Sequence, residues 1–141
     1  MANTVMTSFK KELMEGTHDL ATAGDTFKLA LYTSSSTIND AATTIYETAN
    51  EVPNSGTYAA GGGTLAGQTV GTAGTTAICD FNDLEFTSAT ITARYALIYN
   101  STEANKAVCV LDFSTDQIST AGTFKIDFPA SGASTSIIRV A

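Results

Sequence analysis

The sequence predicts an all-β protein, a single-domain antiparallel β-sandwich of the jelly-roll type with about eight strands, preceded by a short amphipathic helix. Three observations lead to this prediction. Apolar and polar residues alternate in short runs through most of the 141 residues, which is the period of a half-buried strand. Turn-forming residues separate these runs at near-even intervals, as in sandwiches, jelly rolls and barrels. Thr and Ser make up about a quarter of the chain, and Thr favours strands.

A helix is expected over residues 3–15, with Asn3 or Thr4 capping its start and Gly16 ending it. Its apolar residues recur at helical spacing, namely Val5, Met6, Phe9, Leu13 and Met14. The chain is therefore divided into an N-terminal helix or arm, residues 1–16, and a β-sandwich domain, residues 17–141. Two roles stay open for the apolar stripe of the helix: packing on the parent domain, or docking on a partner subunit.

After Gly16 the hydrophobic period changes from about 3.6 residues to 2. Residues 26–32 alternate as a half-buried strand, and residues 41–49 are ambiguous between a short helix and an extended segment. The stretch 50–56 is dense in turn formers. The glycines at 61–63 predict a bulge or tight bend that leads into a strand near 64–71.

The second half of the chain is predicted as a regular series of strands with turns between them. The strands are 76–81, 83–87, 92–99, 107–113, 122–128 and 135–140, and the turns are 82–83, 100–105, 114–117 and 129–132.

Composition limits the function classes that are open to the chain. Only 15% of residues are charged and the net charge is -7, whereas a nucleic-acid surface needs clustered Lys or Arg. The one adjacent basic pair is Lys10-Lys11. No apolar run approaches the ~20 residues of a membrane span. We therefore expect neither a nucleic-acid nor a membrane partner, and no export by the general secretory route, because Lys10, Lys11 and Glu12 interrupt the N-terminal apolar segment.

Residues suited to catalysis or metal binding are few. His18-Asp19 is the one place where a His adjoins a carboxylate, and we interpret it as organising the turn between helix and first strand. Asp80, Asp83 and Glu85 form the densest acidic cluster, but the spacing and glycine of an EF-hand are absent, so a solvated turn is favoured over a calcium site. We expect no enzymatic activity, no cofactor and no metal.

Cysteines and strand arginines leave alternatives open. Cys79 and Cys109 each lie in an apolar run, where buried free thiols are favoured over a disulfide between strands. Arg94 and Arg139 lie in predicted strands and pair either with acidic residues of this chain or with those of a neighbour. The candidate partner-contact residues are Val5, Met6, Phe9, Leu13, Arg94 and Arg139.

Several segments together resemble a family of small virion structural proteins of tailed bacteriophages. They are His18-Asp19-Leu20, residues 25–35, Asn50-Glu51-Val52, Gly56, Tyr58, Gly61-Gly62, residues 96–100 and residues 134–139. The resemblance covers most of the chain, and its motifs are specific to the family without fixing one location in the virion.

The resemblance implies a non-enzymatic β protein that is assembled in the bacterial host cytoplasm and built into the virion. Small β-rich proteins of such particles most often act as capsid decoration, or cement, proteins, which commonly trimerise and bridge subunits of the major capsid protein. A homo-oligomer, with a trimer favoured, and a place on the capsid surface are therefore expected. The alternative is a tail, adaptor or fibre component of the same virion. A receptor- or glycan-binding module is less favoured, because sugar binding needs an exposed aromatic platform.

Overall fold

The computed structural model describes residues 3–38 and 42–141. It confirms the predicted fold class: the chain is mostly β, with two antiparallel sheets and one short helix in a sandwich-like arrangement. The elements are β1 (Thr4–Val5), α1 (Thr7–Met14), β2 (Phe27–Tyr32), β3 (Gly63–Thr64), β4 (Thr69–Ala73), β5 (Thr76–Asp80), β6 (Leu84–Asn100), β7 (Lys106–Ile126) and β8 (Ile138–Val140).

The larger sheet has five strands in the order β1-β7-β6-β2-β3. Its centre is the antiparallel pair β2 and β6, in register from Phe27 opposite Asn100 to Tyr32 opposite Tyr95. Residues on both faces of β2 are buried, since Leu29, Ala30 and Leu31 have no exposed surface. The sheet is therefore covered on both sides here, and the core of the molecule lies around β2 and β6.

β6 and β7 form one long hairpin, which corrects two sequence predictions. The break expected between strands 83–87 and 92–99 is absent, because β6 runs continuously through it with irregular register. The turn expected at 114–117 lies inside β7. Residues with left-handed backbone, Ser88, Ser114 and Ala121, accompany these irregularities as bulges rather than turns.

The hairpin is strongly bent. Residues 113 and 124 would be about 36 Å apart in a straight strand, yet the rings of Phe113 and Phe124 lie 6.3 Å apart, centroid to centroid. Bulges increase the local bend and twist of a strand. The two strands therefore curve so that distant parts of β7 contact each other.

The smaller sheet has three strands in the order β4-β5-β8. The single strand expected near 64–71 is instead two strands, β3 in the larger sheet and β4 in the smaller one. Gly61 and Gly62 precede β3 at a tight bend, as expected, and Gly63 is the first residue of β3. A Cβ on Gly62 would lie 1.8 Å from the carbonyl oxygen of Leu29, so only glycine fits this close approach to β2.

The N-terminal helix is shorter than predicted and belongs to the common core. It occupies Thr7–Met14, preceded by β1, and its N-cap position is Met6, without a side-chain cap, rather than Asn3 or Thr4. Gly16 follows the helix with a φ of 73°, as expected for a helix end. Phe9 has no exposed surface and packs in the same cluster as the residues of β2 and β6.

The ambiguous stretch 41–49 lies partly outside the described residues. From residue 42 onward it contains neither a helix nor a regular strand. Ile45 makes an isolated bridge to Lys106, and the amide of Tyr46 donates to the carbonyl of Asn105. This segment therefore follows the outer edge of the hairpin at its turn.

Candidate functional site

The apolar residues proposed as partner contacts lie mostly inside this chain. Met6 and Phe9 have no exposed surface, and Val5 is half-buried in β1 opposite Cys109. Leu13 lines a small hollow of about 100 Å³ between α1 and the smaller sheet. Met14, the residue after Leu13, is 85% exposed. In this structure Met6 and Phe9 offer no surface to a partner, because their side chains fill the core.

The two strand arginines differ in their contacts. Arg94 donates from Nε to Asp112 Oδ1 at 2.8 Å and lies over the ring of Tyr95, with 5.3 Å between the guanidinium carbon and the ring centroid. The ion pair with Arg94 lowers the pKa of Asp112 to about 2. Arg139 is exposed and donates to the carbonyl oxygen of Ala133 at 3.3 Å. Arg94 thus pairs within this chain.

His18 joins the helix to the larger sheet. Its Nε2 lies 2.6 Å from Glu12 Oε2, and its Nδ1 lies 2.9 Å from Asn100 Nδ2. The ring contacts Phe9, with 4.8 Å between centroids. The imidazole side chain has no exposed surface. His18 therefore connects α1 with the end of β6.

The hydrogen bonds around Asn100 fix the tautomer of His18. Asn100 Oδ1 accepts from the amides of Thr102 and Glu103, and Nδ2 donates to Asp25 Oδ2 at 2.8 Å. These bonds set the orientation of the amide, so Nδ2 also donates to His18 Nδ1. With Nδ1 as the acceptor, the N–H of Nε2 is the one that faces Glu12 Oε2.

Of the pair His18-Asp19, Asp19 organises the turn, as predicted. Asp19 Oδ1 accepts from the amide of Ala21, and the amide of Asp19 donates to Asp25 Oδ2. The amide of Asp25 donates back to the carbonyl oxygen of Asp19. Asp19 and Asp25 therefore shape the loop between α1 and β2, and their bonds are structural.

A second polar network, centred on Glu51, was not predicted as a unit. Glu51 Oε1 accepts from the hydroxyl of Tyr58 at 2.7 Å and from the amide of Gly61 at 2.7 Å. Glu51 Oε2 accepts from the hydroxyl of Tyr46 at 2.5 Å. The hydroxyl of Tyr58 also accepts from the amide of Leu31 in β2 at 2.9 Å. The network ties the long 42–62 connection to the larger sheet.

Burial and the Glu51 carboxylate hold the surrounding tyrosines in the neutral form. The pKa values of Tyr32, Tyr46 and Tyr58 are raised, first by burial and further by Glu51, and that of Tyr99 rises to about 12 for the same reasons. Tyr99 stacks on Tyr46 at 4.7 Å and donates to the carbonyl oxygen of Gly61. The sequence signal was weak: one Glu among turn formers, with the tyrosines dispersed along the chain.

Both cysteines are buried and free. Cys79 lies in β5 and Cys109 in β7. Burial raises the pKa of Cys79 to about 11 and that of Cys109 to about 12. Both therefore remain thiols at neutral pH, which is the less reactive form. The favoured interpretation, two small buried hydrophobic residues, agrees with the structure.

The acidic residues at 80–85 do not converge on one point. Asp83 accepts from the amide of Phe128 and pairs with Lys125, whereas Asp80 is partly buried at the end of β5. Within residues 3–38 and 42–141, no group of three His, Cys, Asp or Glu side chains is arranged to hold a metal ion.

One hollow has a volume of about 370 Å³. It lies between β1, the middle of β7 and the segment that precedes β8, and Arg139 is at its rim. Phe113 and Phe128 contribute apolar walls. Two of the predicted contact residues, Val5 and Arg139, both line this hollow.

Comparison with known proteins gives no relative: no family model, no curated protein and no solved structure matches the chain. Among the described residues there is no helix with the length and hydropathy needed to cross a membrane.

Proposed function

We propose that this chain is a bacteriophage virion structural protein, a capsid decoration (cement) protein that bridges and stabilises subunits of the major capsid protein. Its place is the capsid surface, and the assembling species is a homo-oligomer, with a trimer favoured. The proposal rests on the resemblance of the segments described above, together with the positions of their residues in the fold.

One observation carries the proposal. Five residues of the resemblance, His18, Asn100, Glu51, Tyr58 and Gly61, take part in two polar networks that attach loops to the sheet. His18 and Asn100 bond to each other, and Glu51 bonds to Tyr58 and to the amide of Gly61. Because these residues determine how the loops attach to the sheet, a shared set of them supports a shared fold and, with it, a shared structural role.

Physical reasoning supports a cement role. A shell under internal pressure is held by many weak contacts, and a protein that bridges subunits adds to them through avidity. The chain has a low charge content and a Thr- and Ser-rich surface, which permits close packing against neighbours without strong repulsion. The networks around His18 and Glu51 attach the α1–β2 loop and the 42–62 connection to the sheet, which reduces the conformational entropy that these two segments can lose on binding.

The test is the stoichiometry of this protein relative to the major capsid protein in purified particles, measured by quantitative mass spectrometry. Near-equimolar amounts are expected for a shell component. A few copies per particle would place the protein in the tail, adaptor or fibre instead, and its absence from particles would overturn the virion proposal altogether.

A further inference from the structure

The outer edge of β7, the side that faces away from β6, is covered over only part of its length. Ile45 bridges Lys106, the amide of Met6 donates to the carbonyl of Val108, and β1 pairs with Cys109 and Val110. The last contact is from Asn3 Oδ1, which accepts from the amide of Asp112. Beyond Ser114, no strand among the described residues pairs with this edge.

A hollow of about 350 Å³ lies beside the uncovered part. All the residues that line it belong to β7 and none belongs to β6: Phe113, Ile118, Phe124 and Ile126 are apolar, and Gln117, Thr123 and Lys125 are polar. The hollow therefore lies along the outer edge, on the inside of the bend that brings Phe113 to Phe124. Ile118, at its rim, is 69% exposed.

An unpaired edge next to a hollow that has apolar side chains in its wall is an arrangement by which sheets take up an extended peptide as an additional strand. Backbone groups of the edge then provide hydrogen bonds, and the hollow receives an apolar side chain. Proteins that avoid such pairing place charges, bulges or proline on the edge. The bulges at Ser114 and Ala121 lie outside the stretch 115–120, which is regular strand between them and carries one charged residue, Asp116.

The charge and shape of the β7 edge indicate which kind of partner binds there. The carboxylates near the hollow are Asp116 on the edge itself, Asp83 and Asp127, which both pair with Lys125, and Asp112, which pairs with Arg94. Arg94 also interacts electrostatically with Asp116, so four carboxylates face two cations. The rim therefore has an excess of negative charge, which favours a partner with Lys or Arg beside its apolar residues. A second copy would bring the same acidic, concave edge, and two concave edges cannot pair along their length.

We propose that the edge of β7 from Thr115 to Thr120 binds an extended segment of another protein, which adds as a strand, places an apolar side chain in the adjoining hollow and carries flanking basic residues. In the cement role this segment belongs to the major capsid protein, and that assignment alone rests on the proposed function. Strand addition itself follows from the edge, the hollow and the charges.

The experiment uses the full chain, labelled with ¹⁵N, and a capped octapeptide probe in which three Thr-Val repeats are flanked by lysines. We expect amide shift changes confined to residues 113–126 and slower hydrogen exchange at 115–120. Two N-methylated versions of the probe are the control: one is methylated at the amides that point to one edge of the strand, and the other at the amides that point to the opposite edge. A strand pairs through only one of its edges, so one version should lose binding and the other should retain it.

Ile118→Ser tests the hollow, and Ile45→Ser is the matched control, because Ile45 is 49% exposed and lies elsewhere. The first change should weaken probe binding about tenfold and the second less than about twofold. Asp116→Asn should weaken binding at low salt, with the difference vanishing at high salt.

Three results would overturn the proposal: no binding of the probe, equal loss in both isoleucine variants, or equal loss with both methylated probes. A dimer in sedimentation that Ile118→Ser abolishes would instead assign the edge to a second copy. Probe binding needs no virion, so a protein that binds the probe but is absent from particles would refute the cement role and leave the inference standing.

Discussion

At the scale of single residues, Glu51 is the side chain that accepts the hydrogen bonds holding the 42–62 connection to the larger sheet. Its two oxygens accept three hydrogen bonds, from Tyr46, Tyr58 and the amide of Gly61. Glu51→Ala leaves the Tyr58 hydroxyl and the Gly61 amide without this acceptor. We expect the free energy of unfolding to fall by about 2 to 4 kcal/mol, measured by urea denaturation.

The control is Glu47→Ala. The side chain of Glu47 is exposed, and the bond it makes to Tyr32 uses its backbone carbonyl. This change should alter stability by less than about 0.5 kcal/mol. Equal effects of the two substitutions would show that the Glu51 network does not hold the 42–62 connection.

Asp112 gives a prediction about pH. The Arg94 guanidinium lowers its pKa to about 2, below the ordinary value of 3.8. A group whose pKa is lower in the folded state contributes stability above its unfolded pKa, and this contribution is lost as the pH falls through the folded pKa. We expect the wild type to lose this stability between about pH 4 and pH 2.

Asp112→Asn should remove the loss of stability that is due to protonation of Asp112. The urea midpoints of the wild type and the variant should therefore converge as the pH falls toward 2. The measurement is urea denaturation in steps from pH 7 to pH 2. A constant difference between the two proteins over this range would contradict the assigned ion pair.

At the scale of elements, the N-terminal helix is part of the fold. Phe9 is fully buried and contacts the His18 ring. Phe9→Ala should destabilise the protein by about 3 to 5 kcal/mol, as for other buried aromatic residues. Met14→Ala, at an 85% exposed position of the same helix, is the control and should have little effect. If Phe9→Ala affected stability as little as Met14→Ala, the helix would be an independent arm, in line with the predicted division of the chain into residues 1–16 and 17–141.

The elements also show what the sequence could and could not predict. β2 was predicted to within one residue, because its alternation is regular and polar turns flank it. The long strands were divided wrongly: Ser114 to Gln117 look like a turn, yet they continue β7. Local composition does not distinguish a bulge from a turn, because both use residues that tolerate left-handed backbone. Whether such residues form a bulge or a turn depends on the strand with which they pair, and the residues of that strand are distant in sequence.

In the candidate site too, contacts between residues close in sequence could be predicted, and contacts between distant residues could not. Asp19 was correctly assigned to a turn, because its bonds are made within a few residues of it. The bond between His18 and Asn100 and the convergence of tyrosines on Glu51 depend on the packed sheet. Met6 and Phe9 have the apolar spacing of a docking helix, and spacing alone cannot say whether the surface that covers them belongs to the same chain.

At the scale of the whole molecule, the cement proposal predicts how particles behave without this protein. A bridging protein that acts through many copies should be dispensable for shell assembly but needed for shell strength, because each contact is weak and their sum is large. Particles made without it should assemble and then release their genome at a lower temperature than complete particles, as measured by dye access to DNA during heating.

Adding purified protein back should restore the release temperature, and the groove variants make this test specific. Ile45→Ser should restore it as well as the wild type does, whereas Ile118→Ser should restore it poorly if the β7 edge is the contact with the shell. Restoration by both variants would separate the two proposals, keeping the cement role and moving its contact to another surface. If neither the wild type nor either variant changed the release temperature, the protein would not strengthen the shell, and a tail or fibre position would account better for its presence in the virion.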